Sequence, residues 1–470
     1  MSTPPRTPTS TDPARFRRGL IATIAALVLA CAGLGTASVL QGPRLQAAVV
    51  DVDAAVSGPA LLRLVIDEAI APLEADQVSI TPEVPLTAES DRDVVLVSLG
   101  RALDYGTSYE VTLRGVVAAA GGAASDVTYR IDTPAFSATW LQRTGGGDRI
   151  LRGSPGSAPE LVYQGDRIQD YVMLPGAVFL VTLDVSGTAF ASIVATDGTG
   201  NAEQLVLPGG APGRIENVTA SGNTILYTFT TIDPSAAKQA GLPVFDHDLF
   251  QLDLEGAHGS VVVSGADGGK LAVDTVVPVP GASEVLIHAR AGGVYRYGLD
   301  PATPPTLLSS FTEMVALSAD NAVLSVSDAF GPVLYDLADG TEDRVVASPL
   351  DDSGRVPFVG GVVPLTDGSW IERALVPNAN QSAFDSSIAV DDGTTARTLY
   401  APQVDGASTL GYRLTPNEQY LLVETSPGGA SLEASDGYGQ DARPRDVTIV
   451  VIDVESGAVV AQWQGSHARW

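Results

Sequence analysis

The sequence predicts an all-β fold, a small β-sandwich followed by a β-propeller, preceded by one N-terminal transmembrane helix. Three observations predict it. Residues 19–40 form one unbroken apolar run. Beyond that run, short strand-like stretches alternate with Pro, Gly and Asp turns as far as the C-terminus. From about residue 136 these stretches recur every 40–60 residues or so, roughly the length of a four-stranded propeller blade. The 470 residues are 45% hydrophobic and 17% charged, enough apolar material for two or three folded domains. The 49 Gly and 31 Pro are scattered rather than clustered, as many short strands each needing a turn require.

Charge narrows the partners. Lys and Arg total 27 against 55 Asp and Glu, a formal charge of −28. Such a surface repels phosphate backbones and anionic headgroups, which excludes nucleic acid as a partner. The one cysteine, Cys31, falls inside the apolar run. The domains beyond it therefore hold neither a disulfide nor a thiolate metal site, and their stability rests on packing.

Residues 1–18 carry Arg6, Arg15, Arg17 and Arg18 against the single acid Asp12. Residues 19–40 as a helix would be about 33 Å long, sufficient for a hydrocarbon core of about 30 Å. The positive-inside rule then makes 1–18 a cytoplasmic tail, 19–40 a single-pass signal-anchor in the cell membrane, and the bulk of the chain extracytoplasmic. Two other readings share that topology. Val28-Leu29-Ala30-Cys31 resembles a lipobox, which would make Cys31 the lipid-modified N-terminus of a lipoprotein. Cleavage as an ordinary signal peptide is the third.

A spacer, residues 41–48, leads into a first domain over 49–135. Strands are expected at 49–52, Leu61–Ile66, Val78–Thr81, Val94–Leu99, 109–116 and 127–131. Alternation is clearest over 109–116, with one apolar and one polar face, and six or seven such strands in this length match a small sandwich. The stretch from Leu103 to Val116, with Tyr105-Gly106-Thr107-Ser108-Tyr109 leading into a strand that ends Gly115-Val116, resembles the late-strand signature of bacterial S-layer-type Ig-like domains. Residues 118–124 depart from that family's usual turn. The resemblance implies a spacer or interaction module, not chemistry.

Residues 136–470 hold the repeats. Turns recur at Pro175-Gly176, Ser221-Gly222-Asn223, Pro280-Gly281-Ala282, Ala319-Asp320-Asn321, Thr366-Asp367-Gly368 and Pro416-Asn417-Glu418, each between apolar strands. The stretch from Leu414 to Val423 resembles the Ser-Pro-Asp-Gly-x-x-Leu unit of TolB-type and WD-like β-propellers. Leu334–Gly340 and Val451–Gly457 are similar to the strand-and-turn signature of the same class. Six complete units leave 136–165 as three strands without an innermost partner, and the chain runs past its last unit. Residues 465–470 are therefore expected to supply the missing strand and close seven blades; six blades is the alternative count.

Three connections between second and third strands are long: 231–247, 377–386 and 426–446. In a propeller they emerge on one face, so they should form a common rim. The first carries Phe245-Asp246-His247-Asp248. The last carries Tyr438, Asp441, Arg443 and Arg445, a mixture suited to partner recognition. His247, His258, His288 and His467 are dispersed and form no metal-ligand spacing, and no cofactor motif is present. The Asp-rich stretches at 196–201 and 391–393 read as hairpin turns, not calcium loops. No G-x-S-x-G occurs, so the propeller resemblance brings no serine hydrolase with it. The expected function is a membrane-anchored extracytoplasmic binding or scaffold protein that presents the propeller to a protein or cell-wall partner. The alternative is a propeller hydrolase or lyase acting on extracellular glycan or peptide.

Overall fold

A computed structural model of the chain describes residues 17–29, 41–174, 176–195, 202–254, 258–350, 354–377, 384–402, 407–427, 436–438, 442–444 and 446–470. Residues 17–29 are helical and exposed. The rest of the apolar run, with Cys31, lies outside the described residues, and among the described residues no helix is long and apolar enough to cross a membrane. The chain divides into two compact units. One comprises Met1–Asp51, Leu61–Gly100 and Ser108–Asp132, and the other Val52–Ala60, Arg101–Thr107 and Thr133–Trp470.

The first unit consists of two antiparallel sheets. One orders Leu45–Val49, Leu61–Ile66, Val94–Leu99 and Leu86–Asp91, and the other Val78–Thr81, Ser108–Val116 and Ser125–Asp132. Alternation drives both: Leu62, Leu64 and Ile66, like Tyr109, Val111 and Leu113, are buried while their neighbours face water. Two expectations are corrected here. The first strand lies at Leu45–Val49, inside the supposed spacer, and residues 52–57, expected to begin in a strand, form a short helix. Helix-favouring Ala54 and Ala55 follow Asp53 there, with Ala55 and Val56 buried. The strand Leu86–Asp91 was not foreseen because its sequence, LTAESD, carries no apolar alternation.

The second unit contains seven four-stranded antiparallel sheets among the described residues, arranged as the blades of a propeller. Six are sequential, their first strands being Ile168–Leu174 (blade 2), Gly213–Ser221 (blade 3), Val273–Pro278 (blade 4), Glu313–Leu317 (blade 5), Phe358–Pro364 (blade 6) and Ser408–Leu414 (blade 7). The second strands explain why the sheets form. Val178–Val181, Ile225–Tyr227 and Leu421–Val423 are continuous apolar runs, buried on both sides as strands packed between neighbouring sheets must be. The tight turns from first to second strand take positive φ. Glycine serves at 176, 222, 281 and 368, while Asn321 and Glu418 adopt the same region at φ 62°.

Blade 1 is completed from the far end of the chain. Ser466–Arg469 pairs with Ala138–Gln142, which pairs in turn with Asp148–Gly153, and that strand pairs with Glu160–Gly165. The strand expected to close the ring is therefore present. Trp140 stacks on Trp463 of blade 7 with ring centroids 4.6 Å apart, and its Nε1 donates to the Gln464 carbonyl at 3.0 Å. Tyr171 Oη donates to the His467 carbonyl at 3.0 Å, tying blade 2 to the same strand. Gly465 permits the approach: a Cβ there would lie 2.5 Å from the Leu141 carbonyl oxygen.

Segments 52–60 and 101–107 pack within this unit. Leu103 N donates to the Ala55 carbonyl at 2.7 Å, and the Leu103 carbonyl accepts from Asn417 Nδ2 at 3.0 Å in the tight turn of blade 7. Tyr105, Phe136 and Tyr420 form an aromatic cluster with centroid separations of 5.3 Å and 4.7 Å along the series.

Closure by the last strand carries a stability prediction. Trp140→Ala is expected to cost about 3–5 kcal/mol in urea unfolding. Removal of residues 466–470 should cost at least as much and bare a sheet edge, detected as aggregation by light scattering. An unchanged urea midpoint in both variants would show that this strand does not hold the ring.

Candidate functional site

The seven innermost strands wall one axial cavity of about 990 Å³. Each of them slips register: between Ile168 and Asp170, Glu216 and Thr219, Val273 and Thr275, Met314 and Ala316, Val359 and Val362, Thr409 and Gly411, and Ser466 and Arg469. Bulges of this kind re-aim side chains out of the regular pleat. Gln169, Asp170, Asn217 and Asp274 thereby border the cavity where regular strands would show an alternating set.

Charge in the cavity is divided by side. Arg373, Arg413, Arg443 and Arg469 come from blades 6, 7 and 1, while Asp170, Glu216 and Asp274 come from blades 2, 3 and 4. Four arginines against three carboxylates reverse the balance of the whole chain, 27 basic to 55 acidic residues. Each wall carboxylate has a basic neighbour. Asp170 Oδ1 lies 3.0 Å from Arg469 Nη2, Glu216 Oε2 3.5 Å from His247 Nε2, and Asp274 Oδ1 3.5 Å from Arg290 Nη1. Burial alone would raise the Asp170 pKa, but the charges of Arg469 and His467 outweigh it and hold the carboxyl below its ordinary range. Arg443 Nη1 pairs with Glu424 Oε2 at 2.6 Å.

The residues expected at the rim divide into two groups. His247, from the connection in blade 3, and Arg443, from the connection in blade 7, both line the cavity. Asp246 is exposed, and its Oδ1 lies 2.7 Å from His247 Nδ1. The others turn inward. Phe245 is a core residue, packed edge-on to Phe229 and Phe250 at 5.9 Å and 5.1 Å, with Lys270 Nζ 4.0 Å above its ring. Asp248 is buried, and burial raises its pKa although the Asp246 N–H and Lys270 oppose the rise. Tyr438 is buried too. Its hydroxyl donates to Asp148 and its ring lies 3.9 Å beneath the Arg143 guanidinium, while Arg143 Nη1 pairs with Asp436 at 2.5 Å. The last long connection is thus anchored onto blade 1. Asp441 and Arg445 lie outside the described residues.

The connection in blade 6 is shorter than the sequence suggested. The third strand begins at Phe384, so the connection is 378–383, outside the described residues. In blade 3 the connection contains a helix, Pro234–Gln239, capped by Asp233, whose Oδ1 accepts from Ala236 N at 2.9 Å. Asp391 and Asp392 accept hydrogen bonds from Gly393, Thr394 and Thr395, which is a hairpin turn, and residues 196–201 lie outside the described residues. His288 is buried, with Nε2 3.1 Å from the Phe311 carbonyl oxygen. Among the described residues no group of three or more His, Cys, Asp or Glu could hold a metal ion.

The wall arginines escaped the sequence reading because they come singly from different strands. A signal did exist. Glu372-Arg373 interrupts a second strand where the equivalent strands of blades 2, 3 and 4 carry no Asp, Glu, Lys or Arg. Arg373 reaches the cavity past Gly360-Gly361, the bulge in the facing first strand. A Cβ on Gly360 would lie 2.9 Å from Arg373 Nε, and Tyr412 Oη pins the bulge by donating to the Gly361 carbonyl at 2.8 Å. Glu372 is fully buried, with Oε2 accepting from Trp370 Nε1 at 2.9 Å and Oε1 without a partner. Burial lifts its pKa to about 7, and Asp391 adds to the rise against the Trp370 hydrogen bond.

No protein-family model matches the chain. No curated protein is similar to it in sequence. Among solved structures it is similar to the dihydro-heme d1 dehydrogenase NirN, at 14% identity and a TM-score of 0.41, over 71% of this chain and 74% of that one. It is also similar to a quinoprotein alcohol dehydrogenase-like protein from Bacteroides thetaiotaomicron, at 12% identity and 0.41, over 87% and 92%. Apo AztD from Citrobacter koseri is similar at 10% identity and 0.34, over 72% and 91%. At these identities and scores the likeness identifies neither ligand nor chemistry.

The buried charges and their partners carry three stability predictions. Unfolded Glu372 ionises near its ordinary value of 4.5 and folded Glu372 near 7. The folded state is therefore penalised increasingly as pH rises from about 4.5 to 7, and fully above that. Glu372→Gln should match wild type in urea at pH 4 and exceed it at pH 8 by at most about 3 kcal/mol; a pH-independent difference would refute the assignment. Asp436→Ala, which leaves Arg143 buried without its carboxylate, should cost about 3–5 kcal/mol. Tyr438→Phe leaves Asp148 its backbone donors Thr144 and Ile168, and in the same urea assay should cost about 1–2 kcal/mol.

Proposed function

We propose that the chain is a non-enzymatic binding protein of the cell envelope. In this reading residues 1–18 are cytoplasmic and 19–40 anchor the chain in the membrane, or Cys31 does so as a lipoprotein. The two-sheet unit is an S-layer-type Ig-like spacer, and the propeller recognises an extracytoplasmic protein or cell-wall partner through its long-loop face. One observation carries the recognition face: His247 and Arg443, from separate long connections, border the same cavity. Asp246 stands exposed beside His247, so an imidazole and a carboxylate are offered together, with the Glu424-paired guanidinium of Arg443 also on the cavity wall.

The test is cross-linking on intact cells with a membrane-impermeant reagent, followed by capture of the chain. Wild type is compared with a variant carrying Asp246→Asn and His247→Asn and with residues 428–435 shortened to two glycines. Asparagine is chosen because His247 sits at φ 55°, a conformation asparagine tolerates, and the Asp436 and Tyr438 anchors are left intact. A partner captured by wild type and lost from the variant, with melting unchanged, is the expected result. Capture by both removes the long-loop face as the recognition site. No labelling of the chain on intact cells overturns the topology, and turnover of glycan or peptide by the purified chain moves it to the hydrolase or lyase reading.

A further inference from the structure

The cavity carries more positive charge than its carboxylates neutralise. Among the described residues, no carboxylate lies within 4.0 Å of Arg373 or Arg413. Arg373 Nε is buried without a hydrogen-bond partner, and so is Nε of Arg469, whose Nη2 is spent on Asp170 and on the Val218 carbonyl at 3.4 Å. Arg413 projects from the first strand of blade 7 and stays open to the cavity. Enclosure by the walls, followed by repulsion from Arg469, makes it less basic than an ordinary arginine, although Glu424 and Asp170 oppose the fall. Guanidinium groups that share a cavity with too few counter-charges repel one another, and an anion between them relieves both the repulsion and the missing hydrogen bonds.

The construction around Arg373 also points to a ligand. It belongs to a second strand, where the equivalent side chains pack between blades. It reaches the cavity only because the facing strand has glycines at 360 and 361 and is bulged there. Glycine at 360 leaves room for the side chain. The carboxylates lining the cavity sit on blades 2, 3 and 4; on the near side Glu424 of blade 7 attracts Arg413 from a distance, but its Oε2 is engaged by Arg443.

We infer that the axial cavity is a binding site for a small multivalent anion, one bearing phosphate or carboxylate groups, held by Arg373 and Arg413 with Arg469 beside them. This deepens the binding reading above by assigning a ligand chemistry to the interior of the same channel. Arginine suits it because its planar fork binds either oxyanion with two parallel hydrogen bonds.

The experiment is calorimetric titration of the full-length chain in detergent, at low ionic strength, with pyrophosphate in one arm and citrate in the other. One site is expected, with the preferred arm distinguishing phosphate from carboxylate. Arg373→Gln and Arg413→Gln should each weaken binding by about tenfold or more, the effect of losing one charge-assisted contact. Arg344→Gln, which removes an exposed guanidinium paired with Asp328 on blade 5, should leave it unchanged. Added salt should weaken binding in wild type. No heat from either anion at millimolar concentration overturns the inference, as does an Arg344→Gln loss equal to the other two. Should either cavity variant fail to fold, phenylglyoxal labelling of wild type with and without the anion decides the matter. Protection of Arg373 and Arg413, read by mass spectrometry, supports the site, and equal labelling refutes it. Partner capture that survives in the cavity variants while anion binding is lost leaves the rim reading standing; capture lost with anion binding intact falls on the rim reading alone.

Discussion

Closure of the ring by Ser466–Arg469 is the constraint on which the propeller depends. Until that strand pairs with Ala138–Gln142, blade 1 lacks its innermost member and the sheets form an open series. The pairing joins residues more than three hundred positions apart, so its loop-closure entropy must be met by contacts that form only at the end of folding. Trp140 supplies much of what is needed. It stacks on Trp463 and donates to the Gln464 carbonyl, locking blade 1 to blade 7 immediately before the chain turns at Gly465 into the closing strand. With no cysteine beyond Cys31, no disulfide can take over this role.

The same strand builds the cavity as well as closing it. His467 and Arg469 lie on the closing strand and line the cavity, and Arg469 pairs with Asp170 of blade 2. The ion pair therefore spans the seam between the chain's last strand and its first complete blade. Bulges in all seven innermost strands then decide which side chains face inward. Architecture and binding chemistry share the same residues, so a change at the seam acts on both.

What could be read in the sequence follows from how local each signal is. Second strands such as Val178–Val181 and Leu421–Val423 announce themselves by unbroken apolar runs, and the turns by Gly, Asn and Pro. The missing innermost strand of blade 1 was legible by counting. Leu86–Asp91 was not, because an edge strand with a polar sequence leaves no periodic trace. The rim residues show the limit most clearly. Phe245 and Tyr438 look like recognition aromatics in a loop, yet both are buried anchors. Composition cannot tell an exposed ring from one folded under its own loop. Arg373, Arg413 and Arg469 are separated by many tens of residues, and only the ring brings them to one cavity.

The arginine cluster also alters how the net charge should be read. The charge of −28 is a sum over the whole chain, and at the exposed surface mobile ions screen such charge within a Debye length of about 8 Å at physiological salt. Inside a walled cavity screening is weaker and a group responds mainly to its immediate neighbours. No carboxylate among the described residues lies within ion-pair distance of Arg373 or Arg413, although Glu424 and Asp170 attract Arg413 from farther off. The two environments therefore select in opposite directions. The exterior repels extended polyanions, which must engage a wide surface to bind. The cavity favours a compact anion that can leave the surface field behind and exchange its water for guanidinium contacts.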